Sequence, residues 1–255
     1  MIIRNLNELK GIRINSNGEC EIGALCTSNE IAESTIVPWH LRQAASRMGA
    51  VGLRNSATIG GNIANASPKG DMPGPLYLLD ARVKLTSLNG SREMLVSDFI
   101  IKFKSIDLKK DELITKIIIP YSERDFDYIF WHKVGTRKSN AISKITVGMA
   151  LKFAEDEIVK DFRLSATSTG AKTNRNRDVE NLLIGSKITE ENISRVIEAF
   201  DQVISPRAMP VFRRESTKRM IRRFLSQCLL HPESRVIDTY DSYYVPGSPK
   251  PVFNI

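Results

Sequence analysis

Cysteine and histidine are scarce in this 255-residue chain, with three of each. Cys20, Cys26 and Cys228 form no C-x-x-C pair, and His40, His132 and His231 form no H-x-x-x-H or His/carboxylate cluster. Zinc and iron–sulfur ligation are therefore unsupported, and no metal is expected. The Cys20/Cys26 spacing fits two residues of a strand and its exit. Ser/His/Asp, Cys/His and paired-carboxylate arrangements are also missing, so the side chains suggest neither hydrolysis nor general acid–base turnover. No uninterrupted apolar run approaches the ~20 residues of a membrane span. Arg4, Asn5, Asn7, Glu8 and Lys10 break up the N-terminus where a signal peptide has its apolar core. The expectation is a cytoplasmic protein with no membrane contact. No internal repeat is visible.

Basic charge is plentiful, at a formal net +8. Arg213, Arg214, Lys218, Arg219, Arg222 and Arg223 crowd one helical segment, and spacings of four align them along one side. A basic helix can track phosphates, which makes a nucleic-acid-binding module the rival from another class. No helix-turn-helix, zinc finger or aromatic RNP motif accompanies the charge. A docking surface for an acidic partner, or solvated residues over a buried side of Phe212, Met220, Ile221, Phe224 and Leu225, accounts for it equally simply.

The densest chemistry lies in a single loop, Arg54-Asn55-Ser56-Ala57-Thr58-Ile59-Gly60-Gly61-Asn62-Ile63-Ala64-Asn65-Ala66-Ser67-Pro68-Lys69-Gly70-Asp71. Two adjacent glycines let backbone N–H groups press against a flat or anionic ligand, with no Cβ to hold it off. Thr58, Asn62, Asn65 and Ser67 offer neutral donors and acceptors, and Asp71 can accept from sugar or ribityl hydroxyls. Such a loop suits a polyhydroxylated, partly aromatic ligand. The plainer reading is a tight turn of ordinary loop composition.

Around this loop the chain reads as α+β. Glu19–Leu25 predicts a strand, and Thr27 or Ser28 caps a short helix. Pro38 opens a second helix, with an apolar helix-like run from Leu41 to Val51. Asn89-Gly90 marks a hairpin between Val83–Leu88 and Ser91–Val96. Leu113–Ile119 is a strand ended by Pro120. The polar Tyr121–Asp125 segment is the best boundary between domains at 1–121 and 126–231. The second domain carries strands at Tyr128–Val134, Thr146–Phe153 and Ile158–Ala166, a basic loop at Ala171–Asp178, and amphipathic helices at Glu190–Ile204 and Arg213–Leu230. Residues 232–255 hold Tyr240, Tyr243, Tyr244, Pro246, Gly247, Pro249 and Pro251, either a disordered end or an arm for a partner subunit.

The order of these features closely resembles the FAD-binding medium subunit of the molybdenum hydroxylases, the xanthine dehydrogenase and carbon monoxide dehydrogenase flavoprotein family. Its second flavin motif, approximately R-N-x-A-T-I-G-G-N-I-x-x-A-S-P-x-x-D, stands almost letter for letter at Arg54–Asp71. Asp111-Glu112-Leu113-Ile114-Thr115, Lys133-Val134-Gly135-Thr136-Arg137-Lys138 with Ala141-Ile142-Ser143, and Phe212-Arg213-Arg214 are similar to further family segments. The resemblance spans about residues 2–230. It implies a second FAD-binding subdomain, a mixed sheet with helices, followed by a C-terminal domain of three strands plus helices. It also implies FAD, a molybdenum cofactor-binding large subunit, a 2Fe–2S small subunit, and NAD or another electron acceptor. A cofactor-free basic module that keeps the fold is the alternative.

By the same resemblance, Thr58, Ile59, Gly60, Gly61 and Asn62 hold the flavin and diphosphate region through backbone N–H groups and short side chains. Ser67 and Asp71 bond the hydroxylated part of FAD, and Ile114 gives backbone or apolar contact. Lys133 falls where some members place a lysine near FAD, where a cation stabilises the anionic reduced flavin; otherwise it is a surface lysine on a strand. Met48 either lies near the flavin or belongs to a helix core stripe. The family's first A-G-G-T-type loop has no counterpart before Ile22, so an incomplete N-terminal subdomain is expected. FAD affinity should fall by about two to three charge-assisted hydrogen bonds, and apolar surface near Ile2, Ile3 and Leu6 should be exposed.

Overall fold

A computed structural model of the chain describes Ile3, residues 5–137 and residues 140–230. Strands β1 (Ile12–Ile14) and β2 (Cys20–Gly23) lead into helices α1 (Ser28–Glu33), α2 (Trp39–Ser46), α3 (Val51–Arg54), α4 (Ile59–Ala64) and α5 (Pro73–Leu78). Strands β3 (Arg82–Ser87) and β4 (Gly90–Leu95), helix α6 (Val96–Phe99), the short β5 (Ile100–Lys102) and β6 (Ser105–Ile106), and β7 (Leu113–Ile119) complete the first unit. The second unit comprises β8 (Tyr128–Val134), β9 (Ile145–Phe153), β10 (Val159–Thr167), α7 (Arg177–Asn181), α8 (Glu190–Val203) and α9 (Pro210–Leu230).

The first sheet runs β1-β2-β7-β3-β4. Every pairing in it is antiparallel, which corrects the expected mixed sheet. Val83 and Leu85 point into the core while Arg82, Lys84 and Thr86 face outward, the alternation of a half-buried strand. The outer face is laced by Arg13–Glu21–Lys116 and by Arg82 with Glu19 and Glu93. The β3–β4 turn sits one residue earlier than expected. Ser87 pairs with Gly90, so Leu88 and Asn89 form the loop and Gly90, at φ +133°, belongs to the strand. The predicted Glu19–Leu25 strand shortens to Cys20–Gly23, and the run from Leu41 to Val51 breaks at Gly49, whose φ is +52°.

The second sheet, β10-β9-β8, is packed on both faces, with α2 and α5 on one side and α9 on the other. That is why β8 reads as a continuous apolar run. Tyr128 and Phe130 enter a core shared with α8 and α9, while Ile129 enters the core of the first unit. Lys133, in step with Ile129 and Trp131 along the strand, therefore projects toward the first unit.

The Tyr121–Asp125 junction is braced. Glu123 accepts from the Trp39 backbone N–H at 2.9 Å and pairs with buried Arg42 at 3.2 Å. A charge cluster clamps the two units. Asp80 of the first pairs with Arg163 at 3.0 Å, with Arg175 at 2.9 Å, and with Arg177. Arg175 also reaches Glu180 at 2.7 Å and donates to the carbonyls of Tyr77 and Leu78 at the end of α5. Arg163 stacks on Tyr121 at 3.8 Å.

Candidate functional site

The signature loop folds around α4. Thr58 pairs with Thr27 in an isolated antiparallel bridge and caps the helix, its hydroxyl accepting from Gly61 N at 3.1 Å. The bridge draws two more N–H groups onto the exit of β2. Ile59 N donates to Cys26 O at 3.0 Å and Gly60 N to Ala24 O at 2.9 Å. Asn62 N closes the first helical bond to Thr58 O at 2.9 Å. The N–H groups of Ile59, Gly60, Gly61 and Asn62 thus all have protein acceptors. The expectation that these N–H groups face a diphosphate meets a segment in which each already serves a bond within the protein.

Gly60 has a structural reason of its own. A Cβ there would stand 2.9 Å from both the Cβ and the carbonyl oxygen of Ala24. At Gly61 a Cβ would meet only the Thr58 hydroxyl, at 3.1 Å.

The sequence-predicted residues divide between two faces of α4. Thr58, Gly60, Gly61 and Ala64 line a cavity of about 640 Å³ closed on another side by Leu113 and Ile114. That volume suits a small-molecule or cofactor pocket. Its remaining walls mix apolar Ile3, Ala24, Leu25 and Leu108 with polar Thr27, Asn55 and Ser56, and Lys10, Glu30 and Glu112 are the charged members. Glu112 is held by Arg92 Nε at 2.8 Å and Nη2 at 3.0 Å and by Lys109 N at 2.9 Å. Those bonds pull its carboxyl down to about 2. Glu30 closes a capping box on Thr27. Leu6 is 40% exposed, as expected of the N-terminal apolar surface, Ile3 is half-buried in the cavity wall, and Ile2 lies outside the described residues.

On the opposite face of α4, Ile59 and Ile63 enter the core and Asn62 belongs to a buried polar cluster. Asn62 Nδ2 donates to Met48 Sδ at 3.4 Å. Beside Met48, the Arg47 carbonyl accepts from Lys133 Nζ at 3.0 Å, and Lys133 Nζ pairs with Asp71 Oδ2 at 2.7 Å. The Lys133 and Asp71 side chains are 5% and 9% exposed, so the surface-lysine alternative is excluded. Burial pushes the Asp71 carboxyl up, against the opposing pull of Lys133. The lysine charge offered to a ligand is therefore offset by Asp71, where the sequence suggests an unopposed cation.

Asp71 Oδ1 and Asn62 Oδ1 are buried with no hydrogen-bond partner among the described residues. Two orphaned acceptors beside an ion pair fit a ligand carrying N–H or O–H donors. Ser67 joins neither group; its hydroxyl accepts from Lys69 N at 3.3 Å. Met48 belongs to the core, 6% exposed, and its sulfur accepts from Ser28 and Asn62. Sequence reasoning passed over Arg47 and Arg92; no local signal marks a residue that acts through its carbonyl or through a neighbour's carboxylate.

Four of the six basic residues on α9 are tied into the fold. Arg213 donates to Ser168 O, and Arg214 and Lys218 pair with Asp201 at 2.8 and 3.3 Å. Arg222 pairs with Glu190 at 3.1 Å. A phosphate-tracking stripe of six is not present. No helix among the described residues is long and apolar enough to cross a membrane, and no group of metal-ligating residues occurs among them. The expected C-terminal arm lies outside the described residues.

Residues 1–122 match the family model described as the FAD binding domain in molybdopterin dehydrogenase, and residues 131–228 match the CO dehydrogenase flavoprotein C-terminal domain. The chain is 31% identical over 237 residues to the nicotinate dehydrogenase FAD-subunit of Eubacterium barkeri, covering 89% of this chain and 79% of that protein. It is 32% identical over 225 residues to the glyceraldehyde dehydrogenase medium chain of Sulfolobus acidocaldarius, covering 85% and 78%. In fold it is similar to a chain of carbon monoxide dehydrogenase from Hydrogenophaga pseudoflava, with a TM-score of 0.78 at 23% identity over 88% of this chain and 79% of that one. The α+β architecture, the signature loop around α4 and these relationships together show that the chain belongs to the FAD-binding subunits of the molybdenum hydroxylases, a family of FAD-dependent oxidoreductase subunits.

Proposed function

We propose that this subunit carries electrons from a 2Fe–2S small subunit, fed by a molybdenum cofactor-binding large subunit, through FAD to NAD or another acceptor. The observation that carries the reading is the convergence on α4: a cavity on one face, and on the other a buried ion pair with two orphaned acceptors. Bound FAD supplies the electron-transfer chemistry, and the protein supplies position, charge and access. Thr58, Gly60, Gly61 and Ile114 would hold the cofactor by close contact and the Thr58 hydroxyl. Asn62 and Asp71 would accept its hydrogen bonds, Lys133 would fix the Asp71 carboxylate, and Ser67 would serve as a secondary donor. Family membership, and relatives named as an FAD-subunit and a medium chain, support a role within a multi-subunit enzyme.

The test is a titration of the purified chain with FAD, followed by anaerobic addition of NADH. A saturable shift of the flavin band near ~450 nm marks a flavin held in a protein environment, and bleaching by NADH identifies NAD as a partner in electron exchange. Binding without bleaching would assign a different acceptor. Absence of binding, alone and with the partner subunits, would sink the reading.

A further inference from the structure

The α9 residues left over from the fold form a surface of their own. Arg219 and Arg223 are exposed, and neither has an ion pair among the described residues. Phe212, Ser216, Arg219 and Arg223 repeat at spacings of four, three and four, which places them on one stripe of the helix. The stripe is about 16 Å long. Its upper end is apolar: Val211 is 74% exposed, Met209 45% and Phe212 37%, and nearby Ile142 is 71% exposed. Lys144 lies over the Phe212 ring at 5.6 Å, a cation in contact with the apolar end.

Two backbone features fix this surface in place. Met209 holds φ +51°, which a bulky side chain rarely adopts, directly before Pro210 opens α9. Arg213 donates to Ser168 O, and Ser168, itself at φ +64°, donates from its hydroxyl to Ser143 O at 3.3 Å. That knot holds the Ile142–Lys144 segment against the start of α9. Ser168 N also donates to Pro68 O at 2.7 Å, so the surface stands beside the loop that carries Asp71.

We infer that this surface, an apolar head followed by a cationic stripe, docks an amphipathic acidic segment of another subunit of the complex. The inference rests on the reading of the chain as one subunit of a molybdenum hydroxylase. Charge complementarity names the occupant. Arg219 and Arg223 are exposed and half-buried Lys144 lies over Phe212, all beside exposed apolar side chains, so the matching partner segment presents apolar residues followed by carboxylates. Exposed apolar residues grouped in this way mark an interaction site more than a solvated helix.

The test co-expresses the full chain with its cognate large and 2Fe–2S subunits and follows assembly by size-exclusion chromatography. The I142D/V211D variant should lose at least 10-fold in association, and R219E/R223E should weaken it in a salt-dependent way. L88D, at the exposed β3–β4 turn, should assemble like wild type. FAD titration and thermal melting of each variant report the fold independently of assembly. Normal assembly of I142D/V211D would overturn the inference and leave the subunit reading standing. Failure of the wild-type chain to associate with either subunit would remove both. Steeply salt-dependent binding of a fluorescent DNA or RNA duplex, abolished by R219E/R223E while assembly persists, would give the surface to nucleic acid and also overturn the inference.

Discussion

Substituting each of the paired glycines by alanine separates the two roles that the motif combines. At Gly60 a new Cβ would meet Ala24 at 2.9 Å, against both backbone and side chain, and the adjacent N–H is bonded to that same Ala24 carbonyl. Overpacking of this kind costs about 1–3 kcal/mol, offset by about 1 kcal/mol from the better helix propensity of alanine. The net for Gly60→Ala is a destabilisation of the cofactor-free chain by up to about 2 kcal/mol, and the contact with both backbone and side chain of Ala24 puts it toward the upper end. At Gly61 the new Cβ would face the Thr58 hydroxyl at 3.1 Å and otherwise enter the cavity. The helix gains up to about 1 kcal/mol there, so Gly61→Ala should be neutral or slightly stabilising without ligand yet bind FAD more weakly. Urea unfolding midpoints without FAD, paired with FAD titrations, read both effects. Gly60→Ala with wild-type stability would refute the close-packing argument. Gly61→Ala with wild-type FAD affinity would show that the ligand does not approach this face of α4.

The buried Lys133–Asp71 pair should respond asymmetrically: Lys133→Met leaves a buried carboxylate without its partner and should cost about 3–5 kcal/mol, while Lys133→Met/Asp71→Leu should recover most of that loss in the same unfolding assay. His40 is fully buried, and burial pushes its imidazole down to about 4 from an ordinary 6.5. Between those values the unfolded chain takes up a proton that the native chain refuses, so stability should be intact above pH 6.5 and fall by about 3 kcal/mol as pH drops toward 4. A His40→Gln variant with the same pH slope as wild type would disprove the assignment. Burial drives the thiol of Cys20 up to about 12 and raises those of Cys26 and Cys228. A thiol reagent at neutral pH should label none of them quickly in the native chain and all three after unfolding; rapid native labelling would contradict the packing.

Local patterns were legible where one segment decides its own state. Tyr128–Val134 and Leu113–Ile119 fall on strands with those same bounds, because apolar continuity and Pro120 are local signals. The Asn89-Gly90 turn slipped by one residue because cross-strand register, with Ser87 opposite Gly90, outweighed the dipeptide preference. The signature loop marks the segment where the sequence expects the ligand, but the acceptors of its N–H groups were only partly legible in it. Thr58 accepts from Gly61 and Asn62 within the segment, but the acceptors for Ile59 and Gly60, Cys26 and Ala24, lie more than thirty residues upstream and arrive only through the Thr27–Thr58 bridge. Asp71 and Lys133 were both visible as candidates, yet their pairing spans 62 residues, from the segment between α4 and α5 to β8. Geometry of that range is written in the packing of β8 against α2 and α5.

The clamp around Asp80 also sets an order of events during synthesis. Its carboxylate leaves the ribosome 95 residues ahead of Arg175, and the Leu78 carbonyl 85 residues ahead of Arg163. At bacterial-to-eukaryotic elongation rates that gap lasts roughly 5–20 s. Through that interval the end of α5 carries an acceptor-rich tip whose cationic complement has not yet been made. The nascent first unit therefore reaches its final shape only as the second one emerges, and a translational pause placed between them would leave the acidic tip open to whatever cation or chaperone surface is at hand.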